Sequence, residues 1–486
     1  VNKGAATSLL LISALLTSCS VGPNYSKPTV PLSPAFKEAP PASFKEGDGW
    51  KTAKPSDQTL RGDWWAMFGD PQLNALEEQV NSANQTVQAA EANYRAARAA
   101  VLLSRAQLKP TLSTAPSIAN VHEHLGKTTT GQPVEAGPGS FDLPLDLNWE
   151  ADLWGRLRRA VTSAREQAQA SAADLENAKL SLHAELAIDY FELRSADAQS
   201  KLLGETIKAY SKALQLTQDR YEGGAAPKSD MTQARTQLDQ AIVQLTDVDV
   251  QRSAYEHAIA VLTGKPPAEL TLGPTPVSEQ SPVIPDIPGA VPSQLLERRP
   301  DIAAEERLMA AANEQIGIAQ AAYYPVLSLS ALGGFSGGTI ASWFTWPSRL
   351  WAVGPTLTQN LYDGGRRRAT SDIAIANYDN AVANYRQAAL TAFQQVEDNL
   401  AALRVLEIET KQQKDTTASA LESLDLFQTR YEGGVDTYLQ VVTYQTALLF
   451  NERAEIDLIR RRLDASVLLI KALGGGWDSS VLVTLK

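Results

Sequence analysis

Cysteine occurs once in these 486 residues, at Cys19, so the chain can form no intrachain disulfide. Methionine occurs three times and histidine four times, the latter at His122, His124, His183 and His257. Residues so few and so scattered offer no soft-ligand ladder for copper or silver and no histidine-rich metal centre. A basic stripe is also missing: the formal net charge is −11, the wrong sign for a nucleic-acid partner. Past the leader no segment has the roughly 18 uninterrupted apolar residues that a transmembrane helix requires, so any membrane crossing must be made by strands. No glycine-rich phosphate loop is present to couple nucleotide hydrolysis to work. With 7% aromatic and 20% charged residues, and alanine recurring wherever the pattern is helical, the composition suits closely packed helices rather than disorder.

What is present begins with a leader. Lys3 precedes an apolar run from Ala5 to Leu16, followed by Leu16-Thr17-Ser18-Cys19, the form of a bacterial lipobox. Cleavage before Cys19 would free it for acylation, each buried methylene adding about 0.8 kcal/mol of membrane affinity. Ser20 rather than aspartate comes next, which by resemblance to bacterial lipoproteins favours sorting to the outer membrane.

The chain is then written twice. Arg220-Tyr221-Glu222-Gly223-Gly224 recurs as Arg430-Tyr431-Glu432-Gly433-Gly434, Leu153 to Ala160 faces Tyr362 to Ala369, and Pro110-Thr111-Leu112-Ser113 faces Pro325-Val326-Leu327-Ser328. No proline lies between Gly155 and Gly223, and neither proline nor glycine between Gly365 and Gly433. Each stretch predicts a helix of about 67 residues, about 100 Å long. Leu157, Val161, Ala164, Ala168, Leu175 and their successors advance in heptad-like steps, so the helix needs neighbours along its length. The Gly-Gly pairs end these helices, and return helices are expected from about Pro227 to Thr263 and from about Asp436 to Leu473. Asp70-Pro71 opens a further helix to about Lys109, and Pro300-Asp301 one to about Tyr323, separated from the first repeat by a proline-rich linker.

Residues 141 to 149 alternate strictly, with Phe141, Leu143, Leu145, Leu147 and Trp149 against Asp142, Pro144, Asp146 and Asn148. That is the lipid-out, water-in code of a membrane barrel. Weaker segments of the same kind lie at 111 to 122, 327 to 335 and 351 to 358. Four such strands cannot close a cylinder, and two open edges would leave roughly ten backbone groups facing lipid at several kcal/mol each. Oligomerisation is therefore required. Two protomers would enclose a bore of about 15 Å and three about 30 Å, and spacing leaves both open.

These parts order the chain as a leader (1–18), a lipidated N-terminal segment and wrap (19–69), a helix (70–109), two strands (110–152), a long helical hairpin (153–264), a proline-rich linker (265–300), a second helix (301–324), two more strands (325–363), a second hairpin (364–473) and a tail (474–486).

Four phrases within this order carry a family resemblance: Cys19-Ser20-Val21-Gly22-Pro23-Asn24-Tyr25, Trp64-Trp65 with Phe68-Gly69-Asp70-Pro71-Gln72-Leu73, Arg298-Arg299-Pro300-Asp301, and Ala472-Leu473-Gly474-Gly475-Gly476-Trp477. Together they resemble the TolC-like outer-membrane factors, in the lipoprotein branch serving resistance-nodulation-division (RND-type) tripartite efflux pumps. The resemblance implies an α+β membrane protein with an internal duplication. Its trimer would form a 12-stranded outer-membrane β-barrel, four strands per protomer, continuous with a long coiled-coil periplasmic tunnel. It implies a passive exit duct rather than an enzyme, partnered by a periplasmic adaptor and an inner-membrane pump, with no cofactor beyond the lipid on Cys19. The tip turns would dock the adaptor through Gly223, Gly224, Ala225, Gly433, Gly434 and Val435, flanked by Arg220, Tyr221, Arg430 and Tyr431. Leu439 would form an apolar ring at the entrance beside Asp436, and Asp230 would add charge from the first repeat, giving a weak cation preference. Thr443 stands where relatives often carry an aspartate, so a carboxylate ring at that level is not expected. The alternative reading is a periplasmic adaptor lipoprotein, which would lack the duplicated strands. Gly334-Phe335-Ser336-Gly337-Gly338 fits a hydrolase elbow pattern, but it continues a predicted barrel strand instead of opening a helix.

Overall fold

The computed structural model describes residues 21–30, 35–39, 41, 63–119, 124–127, 133–135, 140–277, 282–285, 287 and 298–477. The leader, Cys19, His122 and the tail beyond 477 lie outside the described residues. Helix α1 spans Pro71–Ala83, α2 Gln85–Ala106, α3 Arg156–Glu222, α4 Lys228–Leu262, α5 Pro300–Ala321, α6 Arg366–Glu432 and α7 Tyr438–Ala472. Strands are β1 Thr111–Thr114, β2 Ser117–Ala119, β3 His124–Lys127, β4 Pro133–Glu135, β5 Ser140–Ala151, β6 Val326–Gly337 and β7 Arg349–Thr358. The duplication is visible in the lengths: α3 and α6 are each 67 residues and α4 and α7 each 35. Among the described residues no helix is long and apolar enough to cross a membrane.

By internal contacts the chain forms two units. The first, from Tyr94–Ala170 and Glu305–Tyr385, carries an antiparallel sheet in which β1 and β2 both pair with β5, followed by β6 and β7. Pro116 has no amide hydrogen and falls between β1 and β2, splitting what the sequence presents as one strand from 111 to 122. The short β3–β4 ribbon is an addition the alternation pattern does not announce. Register aligns Leu143 with Phe335, Leu145 with Gly333, Leu147 with Ala331 and Trp149 with Leu329, and these with Arg349, Trp351, Val353 and Pro355 of β7. The other face carries Asp142, Asp146 and Glu150 opposite Ser336, Leu332 and Ser328. Twelve residues at about 3.3 Å each, tilted by about 40°, rise about 30 Å, the thickness of a bilayer's hydrocarbon core. Both long helices leave this sheet through an aspartate cap. Asp152 accepts from the amides of Leu157 and Arg158 at 3.1 and 2.9 Å, and Asp363 from those of Gly365 and Arg367 at 3.1 and 3.2 Å.

The second unit contains the described parts of 29–93, 171–304 and 386 onward, and three of the four phrases find their reason there. Trp64, Trp65 and Phe68 are buried, and the Phe68 ring sits 5.0 Å from Phe191. Asp70 caps α1 by accepting from the amides of Gln72 and Leu73, and its other oxygen takes the Tyr190 hydroxyl at 2.6 Å. Arg299 bridges the phrase at 298–301 to the C-terminal one, bonding Asp301 at 2.6 Å and the Ala472 carbonyl at 3.0 Å. One expectation changes: the run from Asp70 to Lys109 is two helices, broken at Asn84. Its side chain accepts from the amides of Thr86 and Val87 at 2.8 and 3.2 Å and donates to the Leu262 carbonyl at 2.8 Å. Asn84 is thus both the end of α1 and the cap of α2.

Candidate functional site

The two turns that the repeated Arg-Tyr-Glu-Gly-Gly closes have one geometry. In the first, Gly223, Gly224 and Ala225 donate to the carbonyls of Asp219, Tyr221 and Arg220 at 2.9, 3.0 and 2.7 Å. In the second, Gly433, Gly434 and Val435 donate to Thr429, Tyr431 and Arg430 at 2.9, 3.0 and 2.9 Å. These are Schellman endings, and they set φ at 72° for Gly224 and 75° for Gly434, where a side chain would be strained although no atom lies within 4 Å to block it.

The decoration differs. Arg220 crosses to the other hairpin, donating to the Tyr431 and Glu432 carbonyls at 3.0 and 2.8 Å with its guanidinium 4.8 Å from the Tyr431 ring centre. It satisfies carbonyls left open at the end of α6 and places a cation at that helix's negative pole. Arg430 instead bonds Asp436 in its own turn and stays largely exposed. Between the hairpins Tyr431 and Tyr438 are buried with Ala234 and Val441, their rings 5.2 Å apart. Burial pushes the Tyr431 phenol up, Arg220 opposes the rise and Asp230 adds to it, while burial likewise raises Tyr438. Asp230 is only 9% exposed and accepts the Ser229 hydroxyl at 3.3 Å.

At the same places in the two turns, Ala225 and Ser229 of the first correspond to Val435 and Leu439 of the second. Val435 is 69% exposed and Leu439 54%, so the second tip holds two apolar side chains outside its own protomer's core. Of the residues singled out from sequence, the structure brings Arg220, Tyr431 and Asp230 into one cluster and pairs Arg430 with Asp436. Tyr221, Val435 and Leu439 are left outward. Neither aspartate presents a free carboxylate in the protomer: one is covered and the other is ion-paired. Sequence reasoning missed a cavity of ≈ 330 Å³ just inside the tips, lined in part by Tyr210, Leu216, Leu424, Tyr438 and Val441. It also missed the Phe427–Tyr444 stack at 4.3 Å. Aromatic residues at helical spacing were the signal that could have found both.

A sheet with one apolar and one polar face, flanked in sequence by duplicated helical hairpins, defines a channel subunit of the outer membrane. The chain matches the outer membrane efflux protein family over residues 76–265 and 291–475, and it belongs to that family. It is 32% identical over 472 residues to outer membrane protein OprJ of Pseudomonas aeruginosa, spanning 97% of this chain and 96% of that protein. To the toluene efflux pump outer membrane protein TtgF of Pseudomonas putida it is 30% identical with the same coverage. Among solved structures it is similar to the outer-membrane channel OprN, 28% identical, with a TM-score of 0.82 over 94% of this chain and 100% of that one. The TolC-like resemblance and its fold therefore hold, and the protein is an outer-membrane exit duct for efflux, not the periplasmic adaptor.

Proposed function

We propose that three copies close into a twelve-stranded barrel and a helical tunnel. This trimer passively conducts small molecules received from an inner-membrane RND-type pump through a periplasmic adaptor. Its lipid is carried on Cys19, and no step is catalysed. In the second tip, Leu439 forms the constriction and the Arg430–Asp436 pair fastens it, while the turn residues Gly223 to Ala225 and Gly433 to Val435, with Tyr221, receive the adaptor. The observation that carries this reading is the asymmetry of the tips. The two turns share a backbone, yet only the second holds Val435 and Leu439 out of its own core. The cavity beneath Tyr438 supports it, since it leaves room for the second hairpin to shift. Ser336 lies in β6 opposite Asp142 with no helix after it, so Ser336→Ala is expected to remove no activity.

The test is single-channel conductance of the purified lipidated protein in planar bilayers. A small, mostly closed current in the wild type that rises in Leu439→Ala is expected. Equal conductance in the two proteins would remove Leu439 from the gate, and absence of any channel would overturn the duct.

A further inference from the structure

The apolar face of the sheet carries one charged residue among the described strand positions, Arg349, which lies opposite Phe335 at the rim where β6 turns into β7. The turn from 338 to 348 folds back over that face. The Trp343 ring is 5.5 Å from Phe141, and the Phe344 ring is 5.7 Å from Phe335 and stacked on Trp343 at 4.8 Å. A Cβ on Gly337 would come within 3.1 Å of the Trp343 Cα, so glycine is what lets the turn lie this close. Ile340, Phe344 and Trp346 are nevertheless 72%, 63% and 75% exposed. Arg349 donates through Nε to the Trp346 carbonyl at 2.9 Å and lays its guanidinium over the Trp346 indole. Its terminal nitrogens meet no carboxylate among the described residues.

Exposed tryptophan and phenylalanine at the end of a lipid-facing sheet are what the headgroup level of a membrane accepts, because their rings are apolar in body and polar at one edge. Arginine is costly at the bilayer centre and cheap at this depth. Its planar fork matches a phosphate, and the indole beneath keeps the fork oriented. We propose that residues 338–349 form an interfacial anchor lying in the outer leaflet, with Arg349 holding the phosphate of an anionic lipid. The surface is continuous with the lipid-facing side of the sheet, and the proposal rests on the chain's place in the outer membrane. It does not depend on the gate or on the adaptor.

Two experiments on the full-length protein test it. In nanodiscs of phosphatidylcholine brominated near the headgroup, tryptophan emission is compared between wild type, Trp346→Phe and Trp343→Phe. Both variants are expected to lose part of the emission that bromine quenches and none of the part that iodide quenches. An unchanged bromine-quenched share, with iodide-quenched emission lost instead, would put the turn in water and overturn the anchor. In native mass spectrometry from detergent containing phosphatidylglycerol, the wild type is expected to retain more of that lipid than Arg349→Gln, and excess inorganic phosphate to leave the retained lipid in place. Equal retention would overturn the lipid contact, and displacement by phosphate would reduce it to a small-anion site. Both arms keep their meaning if Leu439 proves unrelated to gating.

Discussion

At the scale of single residues, the tips separate side chains that look alike in sequence. Asp230 and Asp436 each stand close to a Gly-Gly turn, but Asp230 is covered by its own protomer and Asp436 is bonded to Arg430. Arg430→Gln removes the ion-pair partner of Asp436 and frees one carboxylate per protomer at the entrance. Reversal potentials in asymmetric salt should then move toward cation preference relative to wild type. The shift should be largest well below 0.1 M, where the screening length exceeds about 10 Å. Adding Asp436→Asn should cancel it; a shift that survives the double substitution would point to another charge. The turns themselves were legible, because glycine pairs after a long unbroken helix have few other uses. Which arginine crosses to the neighbouring hairpin was not. Arg220 and Arg430 sit in identical pentapeptides, and the difference lies just beyond them, where Ala226 of one repeat is replaced by Asp436 in the other.

At the scale of elements, the long helices could be read from the absence of breakers, and the strand faces from strict alternation in β5. The break between α1 and α2 could not. No proline or glycine marks it, and the Asn84 side chain is fixed by a carbonyl 178 residues away at Leu262. That contact exists only once α4 has returned, so local sequence offers at most a weak cap signal at Asn-Gln-Thr. Asn84→Ala is expected to cost about 1 to 2 kcal/mol, the usual cost of losing a cap. It should show as faster amide exchange in the first turn of α2 with the rest of α2 unchanged. Gly434→Ala is expected to act differently. No neighbouring atom clashes, so the cost is backbone strain of about 1 kcal/mol, visible as faster exchange confined to residues around 429–436. Exchange that spreads along all of α6 would contradict a local turn effect.

At the scale of the whole molecule, burial of carboxylates makes stability depend on pH. Asp464 of α7 is pushed up to about 7, first by burial; Arg460 opposes the rise, and Glu192 and Asp457 add to it. Asp189 of α3 is raised to about 6 by burial and by Glu185 and Glu192. In the unfolded chain both release their protons near about 3.9. Between about pH 4 and pH 7 the folded protein therefore binds more protons than the unfolded one, and stability falls as pH rises through that window. His183 works in the opposite direction. Burial, with Lys179 adding, holds its ring down to about 4, so its contribution is lost as pH falls below about 6.5. The raw profile mixes the two, and the informative quantity is the difference between wild type and Asp464→Asn. That variant keeps the side-chain shape and cannot ionise. Its advantage over wild type in heat-dissociation temperature should be greatest near about pH 7.5 and shrink toward about pH 5.5, where Asp464 is itself mostly protonated. An advantage independent of pH would mean that the carboxylate is ionised throughout and that Arg460, not burial, governs it.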